Sequence, residues 1–178
     1  GPTVEETEEI AAAAVSAGDA GGVCDLANDN APGQVVVSGS TATVERAVEI
    51  AGKRGVKRCI MLPVSAPFHC SLMQPAADAM ADALASTIIT PPSVPLIANV
   101  TADEVRVPEK IRNNLVAQVT GRVRWRESMM ALREKGVDTL VEAGSGKVLS
   151  GLARRIDREL SAVSVQGPED IENFLASL

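Results

Sequence analysis

The stretch Gly22-Val23-Cys24-Asp25-Leu26-Ala27-Asn28-Asp29-Asn30-Ala31-Pro32-Gly33-Gln34-Val35-Val36-Val37-Ser38-Gly39 decides how the first part of the chain folds. Residues 22–28 and 34–38 read as two short strands, and Asn30-Ala31-Pro32-Gly33 between them carries the residue types that turns favour. Upstream, residues 4–17 have apolar side chains at helical spacing and acids in the first turn, where the helix dipole favours them. Gly18, Gly21 and Gly22 end that helix. Downstream, residues 41–53 read as a helix stopped by Gly55, and residues 57–62 as a strand. The order αββαβ is that of a ferredoxin-like βαββαβ unit lacking its first strand.

After Pro63 the rhythm changes. A loop with two prolines, residues 63–68, leads into a helix expected from near His69 to about Ser86. A strand over residues 96–100 follows, then a helix opened by Pro108 and another over residues 124–135. Residues 137–143 and 162–166 read as strands, and residues 147–160 and 168–177 as helices. Strands alternating with helices imply a largely parallel sheet, here of about three strands. The fold class is therefore α/β, in two parts: residues 1–62 and residues 63–178.

Composition narrows the function classes. Hydrophobic residues make up 46% of the chain, enough for a packed core. No apolar run approaches the ~20 residues of a membrane span, so no membrane role and a cytoplasmic location are expected. Cys24, Cys59 and Cys70 show no Cys-x-x-Cys spacing, and His69 is the single histidine, so neither a disulfide framework nor a metal site is expected. With no Tyr, two Phe and one Trp, the chain lacks the stacking platforms of single-strand nucleic-acid binders. The net charge of −6 is unevenly spread. Residues 1–31 hold seven acids and no base, whereas residues 106–158 hold twelve Lys or Arg against six acids. Such a basic segment either faces an anionic partner or forms solvated helix faces paired with local acids.

His69 is the residue around which chemistry would gather. It sits where a stiffened loop enters a helix after a strand, the kind of junction that carries active sites in α/β folds. A nucleophile is harder to find. Ser145 lies between Gly144 and Gly146, but those glycines read as the end of a strand and the start of a helix. The same stretch is no phosphate loop, because Val148 follows Lys147 where Ser or Thr is needed. Cys70 adjoins His69, but neighbours on a helix point apart, and a small buried hydrophobe is the plainer reading.

Several blocks resemble one family. Asn28-Asp29-Asn30-Ala31-Pro32-Gly33-Gln34-Val35-Val36-Val37-Ser38-Gly39 and Leu62-Pro63-Val64-Ser65-Ala66-Pro67-Phe68-His69-Cys70-Ser71-Leu72-Met73 look like malonyl-CoA:acyl carrier protein transacylase. So do Asn99-Val100-Thr101-Ala102, Leu115-Val116-Ala117-Gln118, Val123-Arg124-Trp125 and Glu142-Ala143-Gly144-Ser145-Gly146-Lys147-Val148-Leu149, in order along the chain. The resemblance implies a hydrolase-like α/β domain, of which residues 63–178 are the C-terminal part, joined to a ferredoxin-like small subdomain. It implies malonyl transfer from coenzyme A to a serine and on to the thiol of acyl carrier protein, without a cofactor. His69 matches the family's catalytic base. Gln118 matches the glutamine that orients it, through either its side chain or its backbone carbonyl.

The resemblance also makes Asn30 an active-site cleft residue, beside its plain reading as a turn-former before Pro32. Phe68 becomes the bulky neighbour that leaves no room for a methyl on the substrate α-carbon. The nucleophile's Gly-x-Ser-x-Gly turn is absent from these residues, so the expectation is a C-terminal fragment, inactive alone. The alternative is a non-catalytic module that binds acyl carrier protein or coenzyme A through its arginines. Docking of the acidic carrier is expected on bases drawn from Arg122, Arg124, Arg126, Arg154, Arg155 and Arg158.

Overall fold

The computed structural model describes residues 1–18 and 20–177; Asp19, one of the seven N-terminal acids, lies outside them. The chain divides into two compact units, Gly1–Ser128 and Met129–Leu178. Residues 1–62, expected as a part of their own, lie wholly inside the first.

The first unit opens with α1 (Val4–Ser16). Thr3 caps it: its hydroxyl accepts from Glu6 N at 3.1 Å, and the Glu6 carboxylate accepts from Thr3 N at 2.8 Å. This reciprocal pair satisfies two backbone donors that a helix start leaves open. Thr7, Ile10, Ala11 and Ala14 form its buried stripe. They face the antiparallel hairpin of β1 (Cys24–Ala31) and β2 (Gln34–Gly39) and the helix α2 (Thr41–Lys53). The shared core holds Ile10, Ala11, Ala14, Cys24, Ala47 and Ala51, bordered by Val37, Val44, Ile50 and Val56. Small side chains at its centre let the helices approach the hairpin closely. Gly33 turns the hairpin at φ 70°, a backbone state that glycine adopts without strain.

Two irregularities in β1 matter later. The register runs Leu26↔Val37, Asn28↔Val36, Asp29↔Val35, Ala31↔Gln34, so Ala27 and Asn30 each bulge out of the ladder. Such bulges free backbone groups and re-aim side chains.

The strand expected over residues 57–62 does not form; these residues are neither helix nor strand. Ile60, Met61 and Leu62 are 59%, 52% and 52% exposed. An apolar run becomes a strand only with a ladder partner, and none lies beside it among the described residues. The helix expected near His69 also starts later. A 3-10 turn, Ser71–Met73, precedes α3 (Gln74–Ala85), while His69 itself has φ 57°, which no right-handed helix accommodates. Next come a hairpin of β3 (Leu96–Ala98) and β4 (Asp103–Val105), the helix α4 (Pro108–Thr120), and the first residues of α5 (Trp125–Glu134).

In the second unit, β5 (Thr139–Ala143) and β6 (Ser161–Val165) pair in parallel across α6 (Val148–Ile156), and α7 (Pro168–Leu175) follows. The expected single parallel sheet is thus corrected. Residues 96–98 pair antiparallel with β4, a strand too short and too charged to be read from sequence, and only β5 and β6 are parallel. Gly144 and Gly146 have φ 135° and 94° in the β5–α6 loop, as expected for glycines between strand and helix.

Glu142 organises the start of α6. Its carboxylate accepts from Leu149 N at 3.0 Å, Ser150 N at 2.8 Å and the Ser150 hydroxyl at 2.7 Å. The backbone N–H of Ser150, its hydroxyl and the Leu149 N–H hold the Glu142 carboxyl below the usual carboxylate range. A depressed folded-state pKa means the contribution is present above the unfolded value of about 4.3 and disappears as pH falls through the folded one. Thermal melts from pH 7 to 2 should therefore show a shallower acid decline for Glu142→Gln than for the wild type; identical slopes would show that the cap contributes nothing.

Candidate active site

His69 is set by its backbone first. Its φ of 57° lies in the left-handed region, at a cost of roughly 1–2 kcal/mol for a non-glycine residue, so the surrounding contacts must hold it there. Just beyond it, the Asp25 carboxylate of β1 accepts from both Ser71 N and the Ser71 hydroxyl, each at 2.8 Å. The intervening Cys70 is fully buried and its thiol donates to Pro67 O at 3.0 Å. That contact, rather than the helical geometry expected from sequence, is what occupies Cys70. Cys24 is no nucleophile either, since burial pushes its thiol up to about 11.

The half-buried imidazole meets α4. His69 Nδ1 lies 3.1 Å from the backbone carbonyl of Gln118, in the last turn of that helix. A carbonyl oxygen only accepts, so Nδ1 carries the proton in this contact and Nε2 keeps its lone pair. Of the two ways open to Gln118 on sequence, the backbone carbonyl makes the contact. Its side chain turns back instead, Nε2 donating to Gly121 O at 3.3 Å, while its buried Oε1 has no protein partner. The acceptor is also an end-of-helix carbonyl with no partner within the helix, where the macrodipole is negative.

The other expected site residues are placed as follows. Phe68 immediately precedes His69 and is 48% exposed, available to a ligand rather than spent in the core. Asn30, half-buried, is one of the two bulged residues of β1. Among the described residues neither side chain is hydrogen-bonded to the imidazole. A shallow depression of about 480 Å³ on the same unit is walled by Glu8, Cys24, Asp25 and Arg122 among others, and His69 is not in its lining. Among the described residues no group of His, Cys, Asp and Glu is arranged to hold a metal ion. No helix is long and apolar enough to cross a membrane.

Sequence reading missed the contacts beneath the site. The bulge at Ala27 leaves its carbonyl free to accept from Val123 N at 2.8 Å, and Asp29 N donates to Val123 O, also at 2.8 Å. Below this bridge Asp29, 1% exposed, receives Arg126: Nε lies 3.0 Å from each carboxylate oxygen and Nη2 lies 2.8 Å from Oδ2. The Asp29 carboxylate raises the pKa of the Arg126 guanidinium in turn. Arg122 pairs with Glu8 at 3.1 Å, and Arg124 Nη2 donates to Glu127 at 3.0 Å. Arg124 thereby holds the Glu127 carboxyl below its usual range. Three of the arginines expected to receive the carrier protein are thus engaged by acids of this chain. Asp157 and Glu159, acids close in sequence to Arg154, Arg155 and Arg158, bind Arg133 at 3.2 and 2.7 Å.

Comparison with known proteins identifies the family. The family model described as the acyl transferase domain matches residues 10–164. The malonyl CoA-acyl carrier protein transacylase of Bacillus subtilis (strain 168) is 43% identical over 158 residues, covering 89% of this chain and 50% of that protein. The Escherichia coli (strain K12) protein of the same name is 42% identical over 148 residues, 83% of this chain and 48% of its own. Among solved structures, the acyl-carrier-protein-S-malonyltransferase from Bartonella henselae superposes with a TM-score of 0.92 at 50% identity, covering 99% of this chain and 55% of that one. A malonyl-transacylase in complex with a type II PKS acyl-carrier protein superposes with a TM-score of 0.93 at 36% identity, over all of this chain and 56% of its own. The chain spans about half the length of the curated relatives it matches. On this likeness of sequence and fold, the chain belongs to the acyl transferase domain family.

Proposed function

We propose that this chain supplies the histidine side of the active site of a malonyl-CoA:acyl carrier protein transacylase, working in the cytoplasm in fatty acid synthesis. The observation that carries the reading is the contact between His69 Nδ1 and the Gln118 carbonyl, which leaves Nε2 as the base. The nucleophilic serine belongs to a segment outside these residues, which contain no Gly-x-Ser-x-Gly turn.

In the first half-reaction Nε2 takes the serine proton as the serine oxygen attacks the malonyl thioester carbon. The C–S bond breaks, and the proton passes from Nε2 to the departing coenzyme A sulfur. In the second, Nε2 takes the proton of the carrier thiol, whose sulfur attacks the malonyl ester. The serine oxygen leaves and recovers the proton. Both steps pass through an imidazolium whose Nδ1–H faces a helix-end carbonyl, the part that a carboxylate plays in a Ser-His-Asp triad. Asn30 borders the cleft, and Phe68 limits the acyl group beside the α-carbon. Residues 1–62 are the small subdomain, and residues 63–178 belong to the hydrolase-like domain.

Four outcomes test this. Malonyl-CoA and acyl carrier protein mixed with this chain alone should give no malonylated carrier; transfer above background would place a nucleophile within these residues. In the full-length protein, His69→Ala should lower kcat/KM by about 10⁴ or more without unfolding the protein. Gln118→Ala, which keeps the carbonyl, should lower it less than about tenfold; equal losses would contradict the backbone role. Finally, Phe68→Ala should move the methylmalonyl-to-malonyl ratio of kcat/KM toward methylmalonyl by about 10-fold or more, the scale for one methyl in a pocket. An unchanged ratio would remove Phe68 from selectivity.

A further inference from the structure

We propose that Asp25 and Asp29, two carboxylates of β1, are positioning residues for His69: Asp25 fixes the chain that carries it, and Asp29, through Arg126, fixes the carbonyl it faces. The proposal rests on the transacylase reading for its kinetic consequences and on geometry alone for its structural ones.

The Asp25 arm is short. Ser71 is two residues beyond His69, and its N–H and hydroxyl both end on Asp25 Oδ2 at 2.8 Å. Charge-assisted bonds of this kind are the strong ones. Cys70, between them, is buried and tied to Pro67 O at 3.0 Å. The peptides flanking His69 are therefore anchored on both sides, and a φ of 57° is what remains for it. With Ser71 released, only the Cys70–Pro67 contact and the ring's own bond to Gln118 oppose relaxation to a negative φ, which would swing the ring off Gln118 O.

The Asp29 arm is longer. Arg126 stands in the first turn of α5 and grips both Asp29 oxygens, while Val123 is bonded to Ala27 and Asp29 on either side of Asn28. Residues 123 and 126 are thus clamped to β1. Three residues before Val123 the helix α4 ends, with Gly121 N on Ala117 O at 2.9 Å and Gln118 Nε2 on Gly121 O at 3.3 Å. The clamp therefore sets where the Gln118 carbonyl stands. One strand holds both partners of the Nδ1 contact.

A merely structural pair would affect folding and nothing specific to His69, so the test reads the imidazole directly. In the full-length protein, ¹⁵N NMR of the ring, with His69 signals assigned by their loss in His69→Gln, should show one neutral tautomer protonated at Nδ1. Asp25→Ala, and separately Asp29→Asn combined with Arg126→Gln to avoid stranding a buried charge, should each add the Nε2–H tautomer. Asp25→Asn keeps an acceptor for Ser71 and should restore the single tautomer. Malonyl transfer should lose about tenfold or more in kcat, with KM for malonyl-CoA within about twofold, since substrate contacts are untouched.

In the His69→Ala background the same substitutions should add less than about twofold, because their route to the chemistry is gone. An unchanged tautomer in Asp25→Ala, or equal losses with and without His69, would overturn the proposal. Should the Asp29 pair variant fail to fold, Arg126→Lys, which keeps the charge but not the two-oxygen grip, must show the second tautomer or the Asp29 arm is wrong. If the wild type transfers no malonyl group, the transacylase reading falls, and the tautomer still decides the positioning role.

Discussion

The contact between His69 Nδ1 and the Gln118 carbonyl is the constraint on which the candidate site depends, and it is a demand on backbone path. Any residue at position 118 offers a carbonyl, so what must be right is where α4 stops. Pro108 at its start fits the first helical turn, where no N–H is needed. At its other end the chain must pass close to the helix it has just left. A Cβ on Gly121 would stand 2.7 Å from Ala117 O and 2.9 Å from Val100 Cγ2, so only glycine fits without displacing its neighbours. The orienting group is thus made from a helix terminus and a glycine, and it brings a partial negative charge without the desolvation cost of a buried carboxylate.

The rest of the first unit reads as support for that geometry. The α1–α2 core of alanines and Ile10 backs the β1–β2 hairpin, and the hairpin in turn presents Asp25, Ala27 and Asp29 to the segments that carry the imidazole and its acceptor. Two bulges make this possible. At the first of them Ala27 O accepts from Val123 N and Asp29 N donates to Val123 O, so that β1 bridges to Val123 across Asn28. Asp29 is both fully buried and ion-paired, a combination that costs desolvation and returns it only through several good hydrogen bonds.

Much of this was legible in the sequence, and the failures have physical reasons. The helices over residues 4–17 and 41–53 and the one opened by Pro108 announced themselves by apolar spacing, by acids in the first turn, by a stopping glycine or by the proline, all local signals. His69 stood out because only one histidine exists and because a proline-stiffened loop delivers it. Residues 57–62 were misread because apolar content was taken for strand formation when a ladder partner is a property of distant chain. Asp25 and Asp29 passed as charges in an acidic N-terminal stretch. Their partners, Ser71 and Arg126, lie 46 and 97 residues away, and nothing in the local pattern links them. The arginine excess over residues 106–158 left two readings open for the same reason: a count of charges carries no record of Glu8, Asp29 and Glu127, which engage three of them.

Every contact that sets the imidazole lies within Gly1–Ser128. Asp25, Pro67, Ser71 and Gln118 hold the ring and its peptide, and Asp29, Val123 and Arg126 hold Gln118. On the proposed reading, residues of this unit give the base its direction. Catalysis by a positioned base depends on having the geometry in place before the substrate arrives, since reorganisation during the reaction adds to the barrier. A histidine at φ 57° would lose that geometry if its neighbours yielded, so the strain is useful only where the frame around it is stiffer than the residue itself. Here the frame is a bulged strand backed by two helices and a buried ion pair, and its stiffness converts an unfavourable backbone angle into a fixed direction for Nε2.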